Sequence, residues 1–185
     1  MSVTVPQLSD RAREIVLEAR ELLEAEGPEA LTMRRLGERL GIRAPSLYKH
    51  VADKEALETA VIATGFEDVA ERFEAAVAAN RRRPLAAFAA EYRAFALAHP
   101  HLYRLMNDRP LRRDLLPPGV EARAAAPLIA AAGSQERARA VWAFAHGMTI
   151  LELNGRFPPD ADLDAAWAAG LRALERETAV APAAD

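Results

Sequence analysis

Apolar residues recur at three- and four-residue steps along almost the whole chain, and no run of β-branched residues alternates with polar ones as a strand requires. That periodicity predicts an all-α fold. Ala12, Ile15, Val16, Ala19, Leu22 and Leu23 share one face of a first helix that begins after Ser9 or Asp10 and ends near Gly27 and Pro28. With 185 residues, 51% of them hydrophobic, the chain can bury a sizeable core, as one domain or as a small module on a larger one.

The punctuation after that helix is tighter. Thr32 is placed to cap a second helix over Met33 to Leu40, with Leu31 and Leu36 spaced as a hydrophobic staple. Gly41 ends it, and Pro45, with no amide hydrogen to lose, suits the first turn of a third helix reaching Val51. Two short helices joined through Gly41, Ile42, Arg43 and Ala44 have helix-turn-helix spacing, although a generic helical hairpin fits the same pattern. Leu36, Leu40, Ile42, Leu47 and Val51 form its apolar seam, which leaves Arg43, Ser46 and Lys49 on a face able to enter a major groove. Asp53 caps a fourth, longer helix from Lys54.

Charge is distributed unevenly along the chain. The net charge is −3, yet Leu31 to His50 holds Arg34, Arg35, Arg39, Arg43 and Lys49 against Glu38 alone, a local +4 that leaves the remainder near −7. Such a segment suits phosphate contact, or equally a solvated helix face. The chain has no cysteine, which excludes disulfides, thiolate catalysis and cysteine-ligated metals. Its long charge-free stretches, such as Ala140 to Leu151, fall well short of the roughly 20 residues that span a bilayer, and Met1 to Asp10 has no export-signal pattern, so no membrane partner and a cytoplasmic location are expected.

Enzyme chemistry finds little support. His99 and His101, two apart, point in different directions on a helix, and His146 lies among apolar residues where a hydrogen-bonded core histidine is the simpler reading. With no phosphate-cradling glycine loop, neither catalysis nor a cofactor or metal is expected. A module that binds protein through its basic helix remains an alternative to DNA binding.

Beyond Leu57, long alanine-rich helices take over. Ile62, Phe66, Val69, Phe73 and Val77 stripe the fourth helix to about Asn80. Leu85, Phe88, Tyr92 and Phe95 align after Pro84, and Pro100 opens a short helix through Met106. Asp108 to Gly119 reads as an irregular connection. Two further helices are expected, over Gln135 to Asn154 and Leu163 to Arg176, and the tail after Thr178 is expected to fray. Trp142, Ala145, His146, Thr149 and Leu153 share one face of that pair, and Leu163, Trp167, Gly170, Leu171 and Leu174 share another; their small residues permit close helix contact and predict an interface with a second copy.

The run from Ala30 to Leu57, with Leu36-Gly37-Glu38-Arg39-Leu40-Gly41-Ile42, then Tyr48-Lys49-His50 and Lys54, resembles the DNA-binding domain of the TetR family, and the likeness extends over Ser9 to Leu57. Val141 to Gly147 with Leu151 to Phe157 resembles the C-terminal domain of its WHG-type subgroup. The resemblance implies a helix-turn-helix domain over residues 1–54, a helical effector-binding and dimerisation domain over 55–185, and repression of transcription from a roughly palindromic double-stranded operator. It also implies roles. Thr32, Tyr48, His50 and Lys54 would donate to phosphates, with some packing open to Tyr48, while Arg34, Arg43, Ala44, Pro45, Ser46 and Lys49 would meet base edges. The surplus aromatic surface of Phe66, Phe88, Tyr92, Phe95, Tyr103, Met106, Trp142 and His146 would line a site for a small, largely apolar effector, or simply pack a core.

Overall fold

Ser9 starts the first described helix by accepting a hydrogen bond from the Ala12 amide, and α1 then runs Asp10–Glu26. The computed structural model describes residues 8–176; the N-terminal reading up to residue 7 and the tail after Thr178 lie outside the described residues. Among the described residues every regular element is helical. After α1 and the 3-10 turn Pro28–Ala30 come α2 (Met33–Arg39), α3 (Ala44–Leu47), α4 (Lys54–Ala79), α5 (Pro84–Ala98), α6 (Pro100–Asn107), α7 (Val120–Ala132), α8 (Gln135–Leu153) and α9 (Leu163–Arg176). The chain gathers into two compact units. One holds residues up to Val69 with Ala98–Ala124, the other Ala70–Leu97 with residues from Ala125 on.

In the first unit, α1 packs on α2 and on α6. Ile15, Val16, Leu22 and Leu23 of α1, Leu36 of α2, Leu47 of α3, Leu57 and Val61 of α4, and Leu102 of α6 are fully buried. Burial of each such side chain is worth about 1.5–3 kcal/mol. Two contacts fix α6. The Leu102 amide, an otherwise unpaired donor in its first turn, gives a 2.7 Å hydrogen bond to the Glu24 carboxylate of α1. Gly65 of α4 lets Met106 approach so closely that a Cβ there would stand 2.5 Å from its sulfur.

The second unit is held by a three-helix clamp. Arg93 of α5 binds both carboxylate oxygens of Glu152 on α8 at 2.8 Å and Asp164 of α9 at 2.7 Å. The Glu152 hydrogen bonds hold this guanidinium protonated well above its ordinary range. On α8, Phe144 meets Trp167 of α9 edge-on with centroids 5.4 Å apart, and it also fills the space over Gly170, where any Cβ would collide with its ring.

Three expectations are corrected here. The third helix ends at Leu47 rather than Val51: the Lys49 and His50 amides donate three residues back, to Ser46 and Leu47, so the α-helical ladder tightens into turns. Val120–Ala132 forms a helix, α7, that the sequence reading did not name, with Pro127 inside it; proline removes an intrahelical donor and reads as a breaker. The faces assigned to a second copy are in part internal. Ala145 and Thr149 are wholly buried within the chain, Trp167 and Leu171 nearly so, and Gly170 is covered by Phe144. Trp142 of the assigned face stays exposed, and the other exposed apolar residues are Ala140, Ala143 and Leu151 of α8 with Ala165, Ala166, Ala169 and Ala173 of α9. Periodicity finds an apolar face without saying which partner covers it.

Candidate nucleic-acid interface

The helix-turn-helix is built by a cap, a staple and a glycine contact. The Thr32 hydroxyl accepts from the Arg35 amide at 3.1 Å, which leaves its own O–H to donate outward, while Leu31 and Leu36 close beneath it, both buried. Gly41 takes φ +66 to end α2, and the chain turns back so closely that a Cβ on Gly37 would lie 2.8 Å from the Ile42 carbonyl oxygen. The Leu36, Leu47 and Val51 part of the expected seam is buried, with Leu40 and Ile42 at its half-buried margin.

Leu47 is the buried residue of α3. Arg43, Pro45, Tyr48, Lys49 and His50 are exposed, Tyr48 to 52%, and Ala44 and Ser46 are half-buried between them. Thr32, Arg34 and Lys54 are exposed as well. All ten residues expected at DNA thus have surface. The Lys54 end is set by Asp53, whose carboxylate accepts from the Ala56 amide at 2.7 Å and starts α4.

The basic charge available at this surface is smaller than the sequence count. Arg35 is held by Glu26 of α1 through two hydrogen bonds, at 2.9 and 3.0 Å, and Arg39 by Glu18, with Glu21 and Glu26 within 4.0 Å. The Arg35 hydrogen bond keeps the Glu26 carboxyl below the usual carboxylate range, and Glu26 in turn holds Arg35 above its own. These two arginines fasten α2 to α1. Arg34, Arg43 and Lys49 carry the charge that reaches outward, Arg34 being 87% exposed with Glu38 at 3.6 Å.

The residues expected around an effector fall into both units. Phe66, Tyr103 and Met106 belong to the first, with Tyr103 buried and the other two half-buried. Phe88, Tyr92 and Phe95 are buried in the second, where Phe73, absent from the expected set, joins the ring cluster at 4.6 Å from Phe88 and 6.1 Å from Tyr92. Its place on the stripe of α4 was the available signal. Phe95 lies under the Arg72 guanidinium at 5.7 Å. Trp142 is 49% exposed, and the half-buried His146 ring lies 6.4 Å away. The open groove beside Leu17, lined by Asp10, Arg13, Glu14, Glu18 and Glu21 of α1, contains none of these residues.

A capped helix pair with one face internally sewn and the other presenting exposed basic and polar residues, followed by further helices, is the architecture of a helix-turn-helix transcriptional regulator. The comparisons identify which. Residues 15–61 match the family described as bacterial regulatory proteins, tetR family, and residues 85–174 match the tetracyclin repressor-like C-terminal domain. An uncharacterized HTH-type transcriptional regulator of Mycobacterium tuberculosis is 34% identical over 168 residues, covering 84% of this chain and 76% of its own. A Rhodococcus sp. RHA1 protein of unknown function superposes with a TM-score of 0.71 at 26% identity, over 91% of this chain and 95% of that one. A single-substitution variant of TetR from Acinetobacter baumannii AYE, in complex with minocycline, gives 0.56 at 25% identity, over 93% and 98%. The chain belongs to the TetR family of transcriptional regulators. Among the described residues no helix is long and apolar enough to cross a membrane.

Proposed function

We propose that this chain represses transcription in the cytoplasm by binding a roughly palindromic operator as a homodimer, and that a small, largely apolar effector releases it. Residues 1–54 serve as the DNA-binding domain and 55–185 as the effector-binding and dimerisation domain. The observation that carries the reading is α3: Leu47 is buried, and Arg43, Pro45, Tyr48 and Lys49 stand exposed around it. Arg43 suits a guanine edge, Ala44 and Ser46 a thymine methyl, and Arg34 and Lys49 reach neighbouring edges. Thr32, Tyr48, His50 and Lys54 donate to phosphates and set register.

The exposed small residues of α8 and α9, with Trp142 and Leu151 beside them, suit a four-helix bundle with a second copy. Two features support an effector. The ring cluster supplies apolar surface, and the Thr149 hydroxyl is buried with no hydrogen-bond partner, a state that costs about 1–3 kcal/mol and that a ligand's polar group would relieve. Of the residues expected there, Phe88, Tyr92, Phe95, Trp142 and His146 of the second unit are the proposed lining. The solved complex of the Acinetobacter TetR variant with minocycline supports a small-molecule effector as such.

Screening a metabolite and drug panel by thermal shift, then titrating each hit into the protein–operator complex, tests release. Hits are expected to raise the melting temperature and to weaken operator binding. Hits that stabilise the protein yet leave operator affinity unchanged would sink induction, and the DNA-binding reading would stand.

A further inference from the structure

The connection between α6 and α7 carries Arg109, Arg112 and Arg113, a basic run that the helix-turn-helix reading does not use. Arg109 donates to Glu58 of α4 at 2.9 Å, and Arg112 donates both to Glu55 of α4 and to Asp114, the latter at 2.7 Å. The Asp114 and Glu55 hydrogen bonds hold Arg112 protonated, and Arg112 keeps the Asp114 carboxyl below the usual range. Glu58 is also paired with Lys54, whose ammonium lies 3.5 Å from its carboxylate.

Lys54 therefore sits beside acid, with Glu58 at 3.5 Å and Asp53 and Glu55 next to it in the chain. Asp53, Glu55 and Glu58 all lie in or beside the first turn of α4, where carboxylates favour the helix dipole but oppose a phosphate. A phosphate held by the Lys54 ammonium would stand within one Debye length of the Glu58 carboxylate, about 8 Å at physiological ionic strength. Without Arg109, Lys54 alone would face Glu58, and without Arg112 the adjacent Glu55 would add an unneutralised charge to the same helix turn.

We infer that Arg109 and Arg112 are positioning residues for operator binding: they neutralise Glu58 and Glu55 and so leave Lys54 able to hold a phosphate. The inference rests on the DNA-binding reading above and assigns the α6–α7 connection a share in operator affinity without any contact to DNA. It differs from a role in holding the fold, because removing arginines and glutamates together removes every ion pair yet restores the local charge balance.

The test measures affinity for the duplex that the wild-type protein selects, at about 50 and 200 mM salt. Arg109→Gln with Arg112→Gln should weaken binding at least threefold at the lower salt, by less at the higher. Adding Glu55→Gln and Glu58→Gln should return affinity to within about twofold of wild type. Unchanged affinity in the double variant overturns the inference, and so does a quadruple variant as weak as the double, since the arginines would then act by themselves. Should the double variant melt early, Arg109→Gln, whose side chain is 60% exposed, carries the same comparison alone against Glu58→Gln. A wild type that selects no duplex overturns the DNA-binding reading and this inference with it. A wild type that binds, with no rescue, overturns the inference only.

Discussion

Arg35 and Arg43 sit eight positions apart on one short motif, and their surroundings give them opposite tasks. Arg35 is spent on Glu26, and Arg43 is exposed at the start of α3. Counterion release depends on charges that reach phosphates, so each phosphate contact contributes about 0.9 to the slope of log affinity against log salt. Lys54→Ala should flatten that slope by about one and weaken all duplexes alike, whereas Arg43→Ala or Lys49→Ala should cost about 1–3 kcal/mol and relax base preference at particular positions. Arg35→Gln should leave the slope unchanged; a flattening equal to that of Lys54→Ala would contradict its assignment to α1. The Glu26–Arg35 pair also predicts a pH dependence. A carboxyl whose pKa is lowered on folding contributes stability above the unfolded value and loses it as pH falls through the folded one. The melting-temperature difference between wild type and Glu26→Gln should therefore be largest near neutrality and vanish as pH falls below the ordinary carboxylate range. A constant difference would show that the pair contributes nothing by charge. The sequence displayed the basic residues of this segment but not their partners, because Glu18 and Glu26 lie on another helix, and long-range pairing leaves no periodic mark.

Elements were legible where a local cap or breaker wrote them. Ser9, Thr32 and Asp53 each accept the backbone hydrogen bond that starts a helix, at the positions the residue types suggested, and Ser134 and Asp162 do the same for α8 and α9. α7 escaped because Pro127 opposes the local signal, and α3 reads longer in the sequence than it is because Tyr48 to Val51 has helical spacing while the Lys49 and His50 amides bond only three residues back. The turn between α2 and α3 depends on Gly37, whose hydrogen faces the Ile42 carbonyl. Gly37→Val should destabilise the protein by about 1–3 kcal/mol through overpacking and abolish operator binding by displacing α3. Unaltered melting and binding would mean that α2 and α3 tolerate a wider approach. Gly170, under the Phe144 ring, is the equivalent close contact between α8 and α9. In the sequence it read as a surface position, since the small size that suits packing against a second copy suits packing within the chain as well.

The whole molecule makes one claim that no single element makes, namely that two copies present two reading heads to one duplex. Ala143→Glu with Ala169→Glu places charge on exposed helix faces, and the pair should shift the protein from dimer to monomer in sedimentation while leaving each chain helical. A dimer mass retained by that variant would move the interface elsewhere. The sequence made the helix-turn-helix legible residue by residue, because capping, turn and seam are all local. The proposed effector site was less so: the rings of Phe73, Phe88 and Tyr92 gather from α4 and α5, and a buried ring looks the same in sequence whether it packs a core or meets a ligand. The central claim is sequence-specific operator binding through α3, and selection of bound duplexes from fragments of the source genome tests it most directly. The account predicts enrichment of an inverted repeat with half-site centres about one helical turn, or a multiple of it, apart, lost when Arg43 and Lys49 are both replaced by alanine. Enrichment of no duplex, or the same repeat selected equally well by the doubly substituted protein, would contradict it.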